Sequence, residues 1–280
     1  MIGAAQDWLE ARVPFDDAAR QQSLPLLDRA AQALLAADPT GRTPLTVVDL
    51  GAGTGKSAAW FRRHLSPRLP GRSINWLLVD AHEPSLEIAT QHLTDADTIV
   101  TPLSDLPAAL DNHLPERPAP GTLMLTCSAV LDVLTQDDVE AILTTLTTHH
   151  GVGLFLLSIT ADWHLEPADP RDPELAQAFA DHQRRDGKLG AEGGEAMLRT
   201  ARERGIHTTH GNSAWQLSAP RDTEFTRRFL TERVAAAVEA SPELEDEARD
   251  WLETRNRQAA DHLNVTVDHC DVLVDARRDH

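Results

Sequence analysis

The sequence predicts an α/β protein in which parallel strands alternate with helices. Apolar runs of strand length end near residues 50, 80, 102, 127 and 159, and stretches at helical spacing separate most of them. Strands and helices that alternate in this way form a parallel sheet with helices on both faces. A chain of 280 residues is long enough for one large domain of this class, or for a core with a helical addition.

The elements can be assigned in chain order. Residues 3–37 have apolar side chains at helical spacing, and Pro14 and Pro25 are expected to break that helix. The alternating core then predicts strands 45–50, 74–80, 98–102, 122–127 and 152–159, and helices 57–65, 84–93 and 136–148. Residues 161–192 are polar and interrupt this alternation. The remaining prediction is helices 194–204, 221–239 and 243–262, a strand pair or one bent strand at 206–217, and a last strand at 265–274.

The most informative segment follows the first predicted strand. That strand contains Asp49, and three alternating glycines come after it: Gly51, Gly53 and Gly55. Glycine allows bare backbone to approach a ligand closely in such a turn. The second predicted strand ends at Asp80, where a carboxylate could bind the two hydroxyls of a ribose. Together these features indicate a site for a nucleoside-containing cofactor.

The glycine spacing distinguishes three classes of ligand. A nucleotide phosphate loop needs four residues before its Gly-Lys-Ser, whereas only three separate Gly51 from Gly55. A dinucleotide loop has the pattern Gly-x-Gly-x-x-Gly, and the pattern here is Gly-x-Gly-x-Gly. Asp49 would repel a pyrophosphate but suits a cationic or amine-bearing ligand. A solvated glycine-rich turn without a ligand is the simplest alternative.

The run D-L-G-A-G-T-G at 49–55, together with an acid that ends strand two, resembles the class I S-adenosylmethionine-dependent methyltransferases. The resemblance implies a seven-stranded, mostly parallel sheet of order 3-2-1-4-5-7-6, with strand seven antiparallel and helices on both faces. It implies S-adenosyl-L-methionine as the cofactor, with its methionine portion at Asp49 and the glycine turn and its ribose at Asp80. The expected cofactor-binding residues are Asp49, Gly51, Ala52, Gly53, Gly55, Asp80, Ala81, Ser104, Asp105, Cys127 and Ser128. Asp105 could hold the adenine amino group, or it could cap a helix.

With this resemblance the chain divides into four segments. Residues 1–40 are an N-terminal helical cap, and residues 41–160 are the Rossmann-like cofactor-binding core. Residues 161–205 are a lid or substrate segment, and residues 206–280 complete the sheet and its helices. The cap and the lid are expected to enclose the methyl acceptor.

Methyl transfer is an in-line displacement at a sulfonium methyl, so it needs alignment, and a base where the acceptor is a hydroxyl or an acidic carbon. His164, after strand five, is the first candidate for that base because the ordinary pKa of histidine is near neutrality. Asp132 is an acid in an apolar setting, and His182 lies in the lid segment. A buried cap explains Asp132 equally, and a solvated helix face explains His182.

The candidate substrate residues lie in or near the same segment. They are Asp162, Trp163, Arg185, Lys188 and Trp215. The basic lid residues could pair with a carboxylate or phosphate on the acceptor, and the tryptophans could face a planar or cationic group. Packing in the core is the alternative for both tryptophans. No metal site is predicted, because the histidine pairs lack convergent ligands at metal spacing.

Charge and composition limit the partners. The formal net charge is -18, which argues against a nucleic-acid substrate. No apolar run is long enough for export or a membrane span, and Cys127 and Cys270 are expected to be free thiols in a reducing cytosol. The sequence therefore predicts a cytoplasmic methyltransferase that acts on a small molecule at O, N or C. A non-catalytic protein that binds S-adenosylmethionine for regulation or assembly is the alternative, and a homodimer is left open.

Overall fold

The structure, a computed structural model, describes residues 6–114 and 116–277, without the side chains of residues 6, 161 and 162. Seven strands form one sheet in the order β3-β2-β1-β4-β5-β7-β6. They are β1 Leu45–Leu50, β2 Ile74–Asp80, β3 Ala96–Val100, β4 Leu123–Ser128, β5 Val152–Glu166, β6 His207–Ser218 and β7 Asn264–Asp275. Strands β1 to β5 pair in parallel, and β7 runs antiparallel to β5 and β6. The predicted strand order and the antiparallel last strand are confirmed.

Helices cover both faces of this sheet. They are α1 Gln6–Gln22, α2 Leu24–Ala37, α3 Lys56–Leu65, α4 Glu83–His92, α5 Leu106–His113, α6 Gln136–His149, α7 Asp172–Gln183, α8 Gly193–Glu203, α9 Thr223–Ala240 and α10 Glu245–Gln258. Successive residues of a strand point to opposite faces, so Val47 packs in one apolar cluster and Val48 in the other. Because both faces are covered, all of β1 is buried, which explains its uninterrupted apolar run.

Prolines account for most of the differences from the predicted elements. The expected break at Pro14 is wrong: α1 continues through this residue, and Phe15 and Ala19 after it pack in the core. The break near Pro25 is confirmed, because α2 begins at Leu24. Helices α5 and α7 were not predicted. Pro107 and Pro173 occupy their first turns, where a proline is tolerated because the missing N–H has no helical partner there.

Two strands differ in length from the prediction. β5 continues to Glu166 instead of ending at 159, because β7 pairs with it across two register shifts. β6 is one strand that pairs with β7 from His207 to Ser218, which resolves the two alternatives left for 206–217. Cys127 and Cys270 are free, as predicted.

A buried carboxylate fastens the N-terminal helices to the sheet. Asp271 on β7 is fully buried, and it accepts hydrogen bonds from the Ser23 hydroxyl and, at 2.7 Å, from the backbone N–H of Leu157. Ser23 lies between α1 and α2. Burial raises the pKa of Asp271, and these hydrogen bonds oppose that rise because they favour the ionised form.

None of the helices in the described ranges combines the length and the apolar character that crossing a membrane requires.

Ser23→Ala tests this attachment. The substitution removes one donor from a buried carboxylate, so the free energy of unfolding should fall by about 1 to 3 kcal/mol. Urea denaturation at pH 7 measures the change. Ser73→Ala alters an exposed serine before β2, and its effect should stay below about 0.5 kcal/mol. An equal loss in both variants would contradict the assigned role of Ser23.

Candidate functional site

The turn between β1 and α3 has the left-handed backbone that its glycines allow. The φ angles are 60° at Gly51, 51° at Gly53 and 81° at Gly55. A Cβ on Gly51 would lie 2.9 Å from a methyl of Val130, whereas a Cβ on Gly53 would meet no atom closer than 4.0 Å. Gly51 therefore allows close packing beneath the turn. Gly53 leaves room for a ligand to approach the backbone.

Asp80 is bonded to this turn. Its Oδ2 accepts a hydrogen bond from the backbone N–H of Gly53 at 2.8 Å, and its Oδ1 accepts one from His82 N–H at 2.8 Å. The carboxylate thus joins the end of β2 to the turn after β1. A carboxylate can accept about four hydrogen bonds, so this half-buried group retains capacity for ligand hydroxyls.

Asp49 lies beneath the turn and is fully buried. Its Oδ1 accepts hydrogen bonds from Thr126 Oγ1 at 2.7 Å and Ser57 Oγ at 3.2 Å. Its Oδ2 has no partner among the described residues. Burial raises the pKa of Asp49 to about 7, against the opposing effects of both hydroxyls and the Arg20 charge. In this arrangement Asp49 positions Ser57 at the start of α3, and direct contact with a methionine portion stays a prediction.

A cleft of about 120 Å³ lies above the turn, and α1 covers it. Its lining combines three parts of the chain: from α1, Leu9, Arg12, Val13, Asp16 and Arg20; from the turn and α3, Gly51, Ala52, Gly53, Thr54, Lys56 and Ser57; and after β4, Ser128, Ala129 and Val130. The predicted residues Gly51, Ala52, Gly53 and Ser128 therefore share one cleft.

Arg20 holds α1 over this cleft. The side chain is only 4% exposed, and its Nε donates a 3.0 Å hydrogen bond to Ser128 Oγ. Its Nη1 donates to a carboxylate oxygen of Asp17 at 2.9 Å, and its Nη2 forms an ion pair with Asp16 at 3.5 Å. Asp16 also pairs with Arg12 at 2.9 Å. Sequence reasoning missed these residues. Their spacing of three or four along a helix was the only available signal, and it is common on helix surfaces.

The other predicted cofactor residues differ in exposure. Ala81, Ser104 and Asp105 are exposed where β2 and β3 end. Asp105 occupies the N-cap position of α5 without making a capping hydrogen bond from its side chain, so capping does not account for it. Cys127 is 1% exposed, and burial raises the pKa of its thiol well above the usual value. Ser128, and not Cys127, faces the cleft.

Asp132 connects the cleft to a second group of side chains. It follows the cleft-lining segment 128–130 and is half-buried. Burial raises its pKa, and the charges of Arg12, Arg233 and Lys188 lower it. The cations whose charges act on Asp132 are thus Arg12, Arg233 and Lys188, of which sequence reasoning identified only Lys188.

Aromatic side chains pack beside these charges, and we call Trp163, Phe179, Trp215, Phe225 and Phe229 the aromatic cluster. The buried Trp215 donates from its ring N–H to Asp16 at 3.2 Å, and the Arg12 guanidinium lies 5.3 Å from its ring centroid. His269, which sequence reasoning did not select, packs against Trp215 in a tilted arrangement with the ring centroids 5.5 Å apart. Burial lowers the pKa of His269 to about 3, which keeps its imidazole neutral.

The remaining catalytic and substrate candidates lie apart from the cleft lining. The His164 side chain is 70% exposed and lies 3.4 Å from Asp268. Trp163 precedes it in β5, and neighbouring strand residues point to opposite faces. The side chain of Asp162 is outside the described residues.

The basic lid residues are held by ion pairs with α9. His182 and Arg185 contact each other and bond to Glu239 at 3.1 and 2.9 Å. Lys188 is half-buried and its backbone bridges to Thr135. Among the described residues, no three His, Cys, Asp or Glu side chains are grouped as metal ligands would be.

Comparisons with known proteins show which solved structures have a similar fold. No protein-family model matches the chain. No curated protein matches it either. Among solved structures, the cyclopropane-fatty-acyl-phospholipid synthase-like protein from Lactobacillus casei matches with a TM-score of 0.50 at 12% identity, over 94% of this chain and 99% of that one.

Two further structures resemble the chain less closely. The cyclopropane synthase MmaA2 from Mycobacterium tuberculosis has a TM-score of 0.44 at 12% identity, over 89% of this chain and 83% of that one. The plantazolicin methyltransferase BpumL, solved with a monoazolic desmethylPZN analog and SAH, has a TM-score of 0.43 at 13% identity, over 98% of this chain and 91% of that one. Its strand order and the match to the Lactobacillus casei protein show that the chain has a Rossmann-like α/β fold.

Asp49→Asn should change how stability depends on pH. Because the folded-state pKa of Asp49 is about 7 and the unfolded value is 3.8, the folded protein binds this proton more tightly. The contribution of this proton to the free energy of unfolding is complete below about pH 4, and it is lost as the pH rises to about 7. The stability of Asp49→Asn relative to the parent should therefore increase across this window and stay constant above it.

Urea unfolding at a series of pH values measures this difference. Ser73→Ala, which alters an exposed serine and removes no titratable group, should differ from the parent by the same amount at every pH. A flat difference for Asp49→Asn would contradict the raised pKa.

Proposed function

We propose that this protein is an S-adenosylmethionine-dependent methyltransferase that acts on a small molecule. The observation that carries the proposal is the 2.8 Å hydrogen bond between Gly53 N–H and Asp80, which brings a left-handed glycine turn and a strand-end carboxylate together. In parallel α/β sheets, ligands bind at the carboxyl ends of the strands. The bond lies at that edge.

The two halves of this arrangement suit the two halves of the cofactor. Asp80 can accept hydrogen bonds from ribose hydroxyls, and the open backbone at Gly53 admits a ligand beside it. The methionine portion would then lie along the turn beneath α1, where Ser57 and Ser128 offer hydroxyls. Bound there, the cofactor supplies an electrophilic methyl group on a sulfonium.

The chain has to align the acceptor and exclude water. The Arg20 bond to Ser128 keeps α1 over the cleft, which limits the access of solvent. Of the three candidates for a base, Asp132 is the best placed, because it follows the cleft-lining segment 128–130. His164 and His182 are already paired with acids.

The nature of the acceptor follows from size and charge. A cleft that α1 covers suits a small molecule better than a polymer, and a net charge of -18 disfavours a nucleic acid. The free thiols of Cys127 and Cys270 suit a reducing compartment, so we place the protein in the cytoplasm.

Asp80→Asn tests the proposed cofactor site. The substitution replaces an anionic acceptor of ribose hydroxyls with a neutral amide, so affinity for S-adenosylhomocysteine should fall by about 10- to 100-fold. Isothermal titration calorimetry measures this affinity. Asp97→Asn on the neighbouring strand β3 should leave it within about twofold.

The parent protein provides the more general test. If it gives no heat with S-adenosylmethionine or S-adenosylhomocysteine, the proposed function is wrong. Binding without methyl transfer to any fraction of a cell extract would favour the non-catalytic alternative.

A further inference from the structure

Arg233 on α9 is a buried cation that makes no ion pair with the side chains that the structure describes. It is 9% exposed, and its Nε is buried without a hydrogen-bond partner. Within the described residues, no carboxylate oxygen lies within 4.0 Å of its guanidinium. Burial lowers its pKa to about 9, and the more distant charges of Asp132 and Glu232 only partly oppose this. An unpaired buried charge is expensive, so Arg233 has the capacity to bind an anion that the described side chains do not supply.

Three rings of the aromatic cluster surround this cation. The guanidinium carbon lies 3.7 Å from the ring centroid of Phe229, 4.5 Å from that of Phe179 and 5.8 Å from that of Trp163. These rings come from α9, α7 and β5, so three separate elements converge on one charge. They orient the guanidinium, and they offer flat apolar surfaces to whatever binds beside it.

Packed aromatic rings connect Arg233 to the proposed cofactor cleft. Arg12 lines that cleft, and its guanidinium carbon lies 5.3 Å from the ring centroid of Trp215. The ring centroids of Trp215 and Phe229 are 6.0 Å apart, and Arg233 lies over Phe229. The surroundings of Arg233 therefore adjoin the α1 wall of the cleft.

The neighbouring charges indicate how much negative charge the site would take. Arg12 is paired with Asp16, and Arg20 is paired with Asp17 and Asp16. Among the described side chains Arg233 has no such pair, and the negative charge of Asp132 acts on it only from beyond ion-pair distance. One uncompensated positive charge matches a monoanion, and the planar fork of a guanidinium matches a carboxylate. A phosphate dianion would leave excess negative charge beside Asp132.

We propose that Arg233 binds the carboxylate of a small aromatic acid, and that such an acid is the methyl acceptor. The anion-binding residue is thus on α9 and not in the basic lid segment, whose His182 and Arg185 are bonded to Glu239. The part of this inference that makes the acid a methyl acceptor rests on the proposed function. The anion site itself stands on the surroundings of Arg233.

Binding of benzoate tests the site, because benzoate is the smallest probe with a ring and a carboxylate. Benzoate is titrated into the purified protein, free and saturated with S-adenosylhomocysteine, by calorimetry and by ligand-observed NMR. The parent should bind benzoate saturably. Benzamide, which has the same shape without the charge, should bind at least about 10-fold more weakly, as should phenyl phosphate.

Variants locate the binding. Arg233→Met should weaken the affinity for benzoate by at least about 10-fold. Arg233→Lys should weaken it less, because an ammonium keeps the positive charge but lacks the planar pair of N–H donors of a guanidinium. Arg227→Met alters an exposed arginine of the same helix and should stay within about twofold. Affinity for S-adenosylhomocysteine should be unchanged in all three, which also verifies that they fold. If Arg233→Met does not fold, the benzoate affinities of Arg233→Lys and Arg227→Met are compared instead, and a weaker affinity in Arg233→Lys alone supports the site.

Each result has one meaning. Equal benzoate affinity in the parent and the Arg233 variants, no benzoate binding at all, or tighter binding of phenyl phosphate would overturn the carboxylate site. If S-adenosylhomocysteine binds while benzoate does not, this inference fails and the proposed function stands. If benzoate binds through Arg233 while S-adenosylhomocysteine does not bind, the anion site stands and the methyltransferase proposal fails.

Discussion

The hydrogen bond from Gly53 N–H to Asp80 is the contact on which the candidate site depends. It can form only because β1 and β2 are parallel neighbours, so that both strands end at the same edge of the sheet. It also requires a left-handed backbone at Gly53, which an L-residue with a side chain rarely adopts. The hydrogen bond therefore requires three features at once: the parallel pairing of β1 and β2, a glycine at position 53 and a carboxylate at position 80. The resemblance to methyltransferases could be identified from sequence because this constraint is local to two strand ends.

The cap over the site depends on a different kind of contact. Helix α1 is held by buried polar bonds, Arg20 to Ser128 and Ser23 to Asp271, in addition to apolar packing. Polar bonds of this kind need fixed geometry, whereas apolar contacts tolerate sliding. They therefore determine where α1 lies over the cleft, and they couple the cap to the segment after β4. Any movement that opens the cleft through α1 must break the Arg20 bond.

The sequence predicted the sheet well because its signals are periodic and local. The glycine turn and Asp80 are short motifs, and the order of strands was implied by the family resemblance that these motifs carry. The aromatic cluster and Arg233 could not be predicted in this way, because α7, α9 and β5 supply them from separated parts of the chain. The two helices that were missed, α5 and α7, begin with prolines that look like loop punctuation in a sequence. His164 was favoured for its chemistry, but strand alternation places it opposite Trp163.

The buried ionisable groups around the cleft are costly to the free protein. Asp49, Asp132, Arg233 and His269 all have pKa values that burial shifts towards the neutral form, as expected for groups that lack full compensation. A protein selected for stability alone would replace such groups with apolar residues of similar volume. Asp49 lies beneath the glycine turn and Arg233 lies among the rings of the aromatic cluster, and ligands that complete the charge balance would account for both. A cationic cofactor beside the acids and an anionic acceptor beside Arg233 would supply the positive and the negative charge that balance these groups. Each ligand would then lower the free-energy cost of burying the groups that face it.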